Sequence, residues 1–164
     1  MSAQMLDARS IYNLIGETLK THKYFGSSKN VNGVLLISKT GSLLMSRFST
    51  QNNENLSVLN FISLLIASNY SQEEIVVEKL LDGNFIGIQS YEINLNLTNN
   101  AEVREGEEED DISQQLYNMC CTNIPKSDLI LVYLSKIDQL ELGALKIIIS
   151  KDVQLYGDLY GYKT

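Results

Sequence analysis

The residues that could carry catalytic chemistry are few in this chain, and they form no recognisable constellation. His22 is the single histidine, so a nucleophile–histidine pair would have to be built on it. It lies close to Lys20 and Lys23 near the end of a predicted helix, where we expect a solvated or helix-capping role. No acid–base or nucleophile set can be assembled, so the sequence predicts no catalytic residues and no enzyme activity.

Two adjacent cysteines, Cys120 and Cys121, are the only thiols of the chain. Neighbouring strand residues point to opposite sheet faces, so this pair predicts neither a disulfide framework nor an activated nucleophile. Such cysteine usage is typical of a reducing, intracellular compartment. The sequence shows no apolar signal core and no apolar run long enough to cross a bilayer, so we expect membrane contact only through partners.

Negative charge is concentrated in residues 102–111, which hold seven acids and one base. The remaining 13 acids and 12 bases nearly cancel, although the net charge of the chain is −7. The acidic run lacks the alternating oxygens and bend glycine of a calcium loop, so it predicts no metal site and a disordered loop at about residues 97–112. No basic stripe or glycine-rich phosphate loop is present, so we expect neither nucleic-acid binding nor a cofactor.

Apolar periodicity predicts a single domain over residues 1–164. Residues 75–81 are ambiguous between a helix extension and a strand. The remaining elements are helices at residues 6–24, 56–70 and 143–160, and strands at residues 31–38, 42–49, 85–95, 114–122 and 128–134. This order predicts an α+β fold with a five-stranded antiparallel sheet and helices packed on it.

The predicted helix at residues 56–70 is apolar around most of its circumference and is interrupted only by small residues. A surface helix normally shows one apolar stripe of about 100° or somewhat more, so we expect this helix to be buried on two sides. It is either a central helix wrapped by its own chain or a helix that packs against a partner. The small number of predicted helices favours the partner.

Residues 34–46 resemble the hairpin of the roadblock/dynein light chain family, in which two apolar strands flank a short turn with Gly and an apolar helix follows. Residues 123–134 and 158–163 resemble the small roadblock subunit of the yeast EGO complex, the fungal counterpart of the lysosomal Ragulator. The element order is similar to the roadblock fold over nearly the whole chain. The acidic segment looks like an insertion.

The resemblance implies a non-enzymatic scaffold that pairs with a second roadblock-domain subunit. A lipid-anchored scaffold subunit would hold the assembly on the cytoplasmic face of the vacuolar or late endosomal membrane. There it would recruit Rag-type small GTPases for amino-acid signalling to TOR complex 1.

The resemblance also implies a partner interface on the second helix and on the strand at residues 86–95. The residues expected there are Leu59, Ile62, Ser63, Ile66, Ala67, Tyr70, Ile86, Ile88, Ser90 and Glu92. Replacing Ile62 or Ile66 with Asp is then expected to dissociate the pair without unfolding the chain.

Two alternatives stay open. A longin-like trafficking adaptor would have a similar small sheet, but a longin domain normally starts with a strand and this chain starts with a predicted helix. A regulator of hydrolysis by a small GTPase would supply an arginine in trans, and the chain offers only Arg9, Arg47 and Arg104 for that role.

Overall fold

The computed structural model describes residues 7–23, 31–48, 56–70, 76–94, 116–137 and 140–163. The acidic loop predicted at about residues 97–112 lies outside them. Three α-helices and six strands follow one another along the described chain. They are α1 (Ala8–Lys23), β1 (Gly33–Ser38), β2 (Leu43–Phe48), α2 (Leu56–Tyr70), β3 (Val76–Lys79), β4 (Phe85–Asn94), β5 (Leu116–Asn123), β6 (Leu129–Lys136) and α3 (Leu142–Asp152).

The strands form one sheet in the order β2-β1-β6-β5-β4-β3, and each neighbouring pair is antiparallel. The predicted count of five strands is wrong by one, because the ambiguous segment contributes β3. A strand of four residues is too short for periodicity to distinguish it from a helix. Pairing with β4 decides its structure, through a turn in which Gly83 has a positive φ and the Asp82 carboxylate accepts a bond from the Asn84 amide.

Among the inner strands of the sheet, β1 and β6 are apolar and buried on both faces. The β1–β2 hairpin closes at Gly41, which has a φ of 98°. A Cβ built on Gly41 would lie 3.1 Å from the Leu64 Cα, so the turn packs directly on α2. Glycine is therefore required there both by the backbone conformation and by the close approach of the helix.

Two separate cores lie on the two faces of the sheet. On the first, which we call the α1/α3 face, the helices α1 and α3 pack on alternate residues of β1 such as Val34 and Leu36. On the second, the α2 face, α2 is the one described helix that packs on the intervening residues Leu35 and Ile37. The period of two along a strand therefore divides the apolar residues of the chain between two layers of helix.

The third helix is shorter than the prediction of residues 143–160, because α3 ends at Asp152 and a 3₁₀ segment follows over Val153–Leu159. Within this segment Val153, Tyr156 and Leu159 are buried. The backbone of Tyr156 is not helical (φ −94°, ψ 27°), so the segment is two short turns joined at a kink rather than one continuous 3₁₀ helix.

The cysteines confirm the expectation that they point apart. Cys120 belongs to the core of the α1/α3 face and Cys121 to that of the α2 face, and both are free. Burial raises the pKa of the Cys120 thiol to about 11 and raises the pKa of Cys121 well above its ordinary value. Neither is activated for nucleophilic chemistry.

Candidate protein interface

The helix α2 has one buried side and one exposed side, and both carry large apolar side chains. The buried side contributes Leu59, Ile62 and Ile66 to the core of the α2 face. The outer side carries Phe61 and Leu64, whose side chains are 61% and 56% exposed. Exposed apolar side chains grouped on one helix face mark an interaction surface more often than isolated ones do. We call Phe61, Leu64 and Leu65 the outer face of α2.

The predicted interface residues of α2 mostly face the sheet of their own chain. Leu59, Ile62, Ser63 and Ile66 are buried, and the Ser63 hydroxyl donates to the Leu59 carbonyl at 2.8 Å. Ala67 and Tyr70 are half-buried. These positions fill the core of the subunit itself, so the structure argues against the expectation that Asp at Ile62 or Ile66 leaves the chain folded.

Tyr70 anchors the end of α2 to the sheet. Its hydroxyl lies 2.6 Å from the Gly87 carbonyl and 2.8 Å from the Asn123 side-chain oxygen, and it accepts a bond from the Asn123 amide. Burial raises the pKa of Tyr70 to about 12. The Gln89 side chain adds bonds to the carbonyls of Asn69 and Tyr70, so the helix end is held on β4 and β5.

The predicted β4 residues lie on the opposite face of the sheet from α2. Ile86 and Ile88 are buried in the core of the α1/α3 face, and the half-buried Ser90 contacts Cys120 of the same face at 3.7 Å. Glu92 is exposed and follows the same alternation. The ten predicted residues therefore cannot form one continuous surface. As partner contacts they stay a prediction.

The α2 face of β4 instead presents Tyr91 and Ile93, which pack on the edge of the α2 core. Between them and the helix lies a half-open groove of about 120 Å³. Its lining residues are Ile62, Leu65, Ile66, Asn69, Tyr91, Glu92, Ile93 and Met119. Since Leu65 lines the groove and also belongs to the outer face of α2, the helix surface and the β4 edge form one continuous, mostly apolar surface.

Sequence reasoning missed the exposed Phe61, Leu64 and Leu65 and the half-buried Tyr91 and Ile93 as members of this surface. The helix is apolar all round, so periodicity gives no direction for its buried side. The small residues Ser57, Asn60 and Ser68 do lie on the exposed side with Phe61 and Leu64. The positions of these small polar residues could have indicated the exposed side of the helix. Ser63 makes that indication ambiguous, because it is equally small and fully buried.

Among the described residues, the groups that could do acid–base chemistry are occupied or scattered. The buried Tyr133 hydroxyl donates to the Asp152 carboxylate at 2.7 Å, inside the core of the α1/α3 face. In the described part of the chain, no group of three or more His, Cys, Asp or Glu side chains is placed to hold a metal ion. Nor does any described helix have the length and apolar character needed to span a membrane.

Known proteins similar to this chain fall into one sequence family and one group of structures. The model of the family described as "Protein SLM4" matches residues 5–164. No curated protein matches significantly. Among solved structures, MglB with tetrameric arrangement has a TM-score of 0.53 and 14% identity, over 96% of this chain and 94% of that one. The gliding protein MglB from Thermus thermophilus has a TM-score of 0.52 and 12% identity, over 97% of this chain and 98% of that one.

At these identities the structures show the fold alone, and it is the roadblock-type α+β fold that the hairpin resemblance implied. The six-stranded sheet differs from the expected five only by the short β3. The family model, in contrast, matches the sequence itself from residue 5 to residue 164. The chain therefore belongs to the SLM4 family.

Proposed function

We propose that this protein is a non-catalytic scaffold subunit of an EGO/Ragulator-like complex. In this role it pairs with a second roadblock-domain subunit and, with a lipid-anchored subunit, recruits Rag-type small GTPases to the vacuolar or late endosomal membrane. The assembly would serve amino-acid signalling to TOR complex 1. The membership of the SLM4 family and the roadblock-type fold support this proposal.

The observation that carries the proposal is the continuous apolar surface formed by the outer face of α2 and the β4 edge. Phe61 and Leu64 are more than half exposed, and Leu65 connects them to the groove beside Tyr91 and Ile93. Burying such a surface against a second subunit removes it from water. The favourable transfer free energy is roughly 25 cal/mol per Å² of apolar area. A partner of ordinary interface size, on the order of 1,600 Å² in total, would cover it.

The related structures agree with a role in assembly. One of them is described as MglB with tetrameric arrangement. For the present chain we propose a second, different roadblock subunit, in line with the resemblance of residues 123–134 and 158–163 to the small EGO subunit. The membrane location follows in this proposal from the lipid-anchored partner.

The alternatives have less support. Of the arginines that a GTPase regulator would need, Arg47 is engaged within its own subunit, where it donates to the Tyr12 carbonyl at 2.9 Å. Its guanidinium also lies 4.2 Å from the centre of the Tyr12 ring. A longin-like adaptor would begin with a strand, whereas α1 precedes β1 here.

The test is to purify the tagged protein from its native cells and to identify what is isolated with it. Wild type is compared with Leu64→Glu on the outer face of α2 and with Ile147→Glu on α3. Leu64 and Ile147 are 56% and 58% exposed, so the two substitutions are closely matched in chemistry and exposure. We expect a second roadblock protein and Rag-type GTPases with wild type and Ile147→Glu, and their loss with Leu64→Glu.

Recovery of coat or tethering proteins would favour the longin-like adaptor. Recovery of the chain alone, or of the same partners with Leu64→Glu, would contradict the proposal. Adding the purified protein to a GTP-loaded Rag-type GTPase tests the regulator alternative, and we expect no change in the hydrolysis rate.

A further inference from the structure

A second groove lies on the α1/α3 face of the molecule, between the start of α1 and the 3₁₀ segment. Its volume is about 350 Å³, which is larger than the groove of about 120 Å³ beside α2. Its floor belongs to the core of the α1/α3 face, so the two grooves lie on opposite faces of the sheet. Every residue that lines it belongs to the described part of the chain. We call it the α1 groove.

The α1 groove has apolar residues on both of its sides. Ile11 and Leu14 line it from α1, and because they are three residues apart they share one side of the helix. Leu155 and Leu159 line it from the 3₁₀ segment. Ile11 and Leu159 are buried and Leu14 is half-buried, whereas Leu155 is 57% exposed. An apolar side chain that enters the groove would therefore contact apolar neighbours from both elements.

The exposure of Leu155 is connected with the kink in the 3₁₀ segment. The backbone of Tyr156 is not helical, and Tyr156 is buried together with Val153 and Leu159. Leu155 lies between these buried residues in sequence, yet its own side chain remains in solvent. The core of the subunit therefore does not use it. An isolated exposed leucine needs no explanation, but one that lines a groove with other apolar residues indicates a contact surface.

The charged residues that line the α1 groove are both acidic. Asp158 is exposed, and its carboxylate forms no ion pair and accepts no hydrogen bond from a described residue. The Asp7 carboxylate accepts bonds from the Ser10 hydroxyl at 2.8 Å and from the Ser10 amide at 3.3 Å, which lower the pKa of Asp7. Arg9 lies on α1 but does not line the groove. An occupant with complementary charge therefore carries Lys or Arg.

Three kinds of occupant differ in how well they fit these observations. A small ligand is usually buried over 70–90% of its surface, but the exposed Leu155 and Asp158 leave the groove open on one side. A second copy of this chain, docked groove to groove about a two-fold axis, would bring Asp7 and Asp158 of both copies together, and like charges disfavour that contact. A segment of a different protein can cover the open side and neutralise the carboxylates.

We propose that the α1 groove is a docking site for a segment of a partner protein that inserts an apolar side chain beside Leu155 and places Lys or Arg near Asp7 and Asp158. The apolar contact supplies binding free energy, and the two carboxylates select a basic segment over an acidic one. Because the groove is on the opposite face of the sheet from α2, both surfaces can be occupied at once. This inference goes beyond the proposed scaffold function and does not depend on it.

The test uses a phage-displayed library of random peptides as the probe and the full chain as the target. The library is first depleted on Leu155→Glu, so that peptides which bind elsewhere on the protein are removed, and is then selected on wild type. Because Leu155 is exposed, we expect this variant to fold, and urea denaturation checks that it does. We expect the selected peptides to combine a large apolar residue with Lys or Arg.

Fluorescence anisotropy with a selected peptide, synthesised and labelled, then separates the apolar from the charged contribution. We expect Leu155→Glu to weaken binding about tenfold or more. Ile147→Glu is its matched control, because Ile147 is 58% exposed on α3 and does not line the groove. We expect Asp158→Asn to weaken binding about two- to fourfold at low salt, with a smaller effect at about 1 M salt. Glu141→Gln removes an exposed charge outside the groove and is expected to have no effect.

Three results would overturn the inference. In the first, no library peptide prefers wild type to Leu155→Glu, so the groove takes no protein segment. In the second, the selected peptides lack Lys and Arg, or Asp158→Asn binds them as wild type does. In the third, sedimentation equilibrium shows that wild type self-associates and that Leu155→Glu abolishes this, so the occupant is a second copy of the chain. The scaffold function is tested separately at Leu64, so it stands or fails independently of these results.

Discussion

The α1/α3 face and the α2 face of the sheet differ in how completely they are covered. On the α1/α3 face, α1, α3 and the 3₁₀ segment share one core, and even the polar Tyr133 and Asp152 are enclosed and bonded to each other. On the α2 face a single described helix covers the sheet, and its outer side remains apolar. The first face completes the fold of the subunit, while the second has apolar surface beyond what its own fold uses.

The difference teaches that the composition of a helix does not by itself reveal its role. Both α2 and α3 are rich in aliphatic residues, and both have exposed ones, such as Leu64 and Ile147. What distinguishes α2 is the neighbouring groove and sheet edge, which make its exposed residues part of a larger surface. The other side of the molecule has a groove of about 350 Å³ between α1 and the 3₁₀ segment, where Leu155 is exposed, but Ile147 of α3 does not line it.

The largest expected effect separates the two sides of α2. Ile62→Asp places a charge in the core of the α2 face and is expected to lower the free energy of unfolding by roughly 4 kcal/mol or more. Leu64→Asp places the same charge on the outer side and is expected to change it by less than about 1 kcal/mol. Urea denaturation of both variants checks this. Similar losses would mean that the outer side is covered within the subunit.

A second effect tests how closed the α1/α3 face is. Tyr133→Phe removes the buried hydroxyl that donates to Asp152, and we expect a loss of about 1–3 kcal/mol in the free energy of unfolding. Tyr12→Phe is the control, because Tyr12 is 46% exposed and its loss of a hydroxyl should cost little. Thermal denaturation followed by circular dichroism measures the loss for each variant. Equal losses would mean that water replaces the Tyr133 hydroxyl as the hydrogen-bond donor to Asp152.

A third effect concerns the contact between the β1–β2 turn and α2. Gly41→Ala adds a Cβ at a φ of 98° and 2.7 Å from a Leu64 methyl carbon, so we expect a loss of about 1–3 kcal/mol in the free energy of unfolding. Gly143→Ala in α3 meets nothing within 4 Å and should be neutral or slightly stabilising. Denaturant titration measures both, and an unchanged Gly41→Ala would show that the turn can move away from the helix.

The smallest effect tests how α1 is attached to the β2 edge. Arg47→Lys keeps the charge but loses the planar group that stacks on Tyr12, and we expect a cost of about 0.5–1 kcal/mol. Arg9→Lys, an exposed change on α1, should have no measurable effect. Hydrogen exchange of the α1 amides reports the difference locally, and equal protection in the two variants would exclude this contact as the attachment.

Much of the fold follows from local pattern. The predicted bounds of α2 agree with the observed ones, because a polar loop with several possible N-cap residues precedes a largely apolar run. The buried strands β1 and β6 were recognised for the same reason, since continuous apolar runs bounded by turn residues indicate strands covered on both faces. The short β3 was not resolved, because its structure comes from pairing with β4 rather than from its own residues.

The candidate interface was predicted in its elements but not in its side chains. The sequence indicated α2 and the following long strand, and the structure brings these two elements together beside one groove. It also places Ile86 and Ile88 on the far face of the sheet, and Ile62 and Ile66 inside the subunit. A sequence shows which residues of a strand share a sheet face, because side chains alternate along the strand. It does not show which of the two faces each set occupies.

The sequence by itself determined the element order apart from β3, the α+β class, and the surplus of apolar surface on α2, because each of these depends on neighbours within one turn of helix or a few strand residues. Only the tertiary structure decided the sixth strand, the distribution of the helices over the two faces, and the side of α2 that remains exposed. These depend on contacts between segments distant in the chain, and a helix that is apolar all round can satisfy such contacts in more than one orientation.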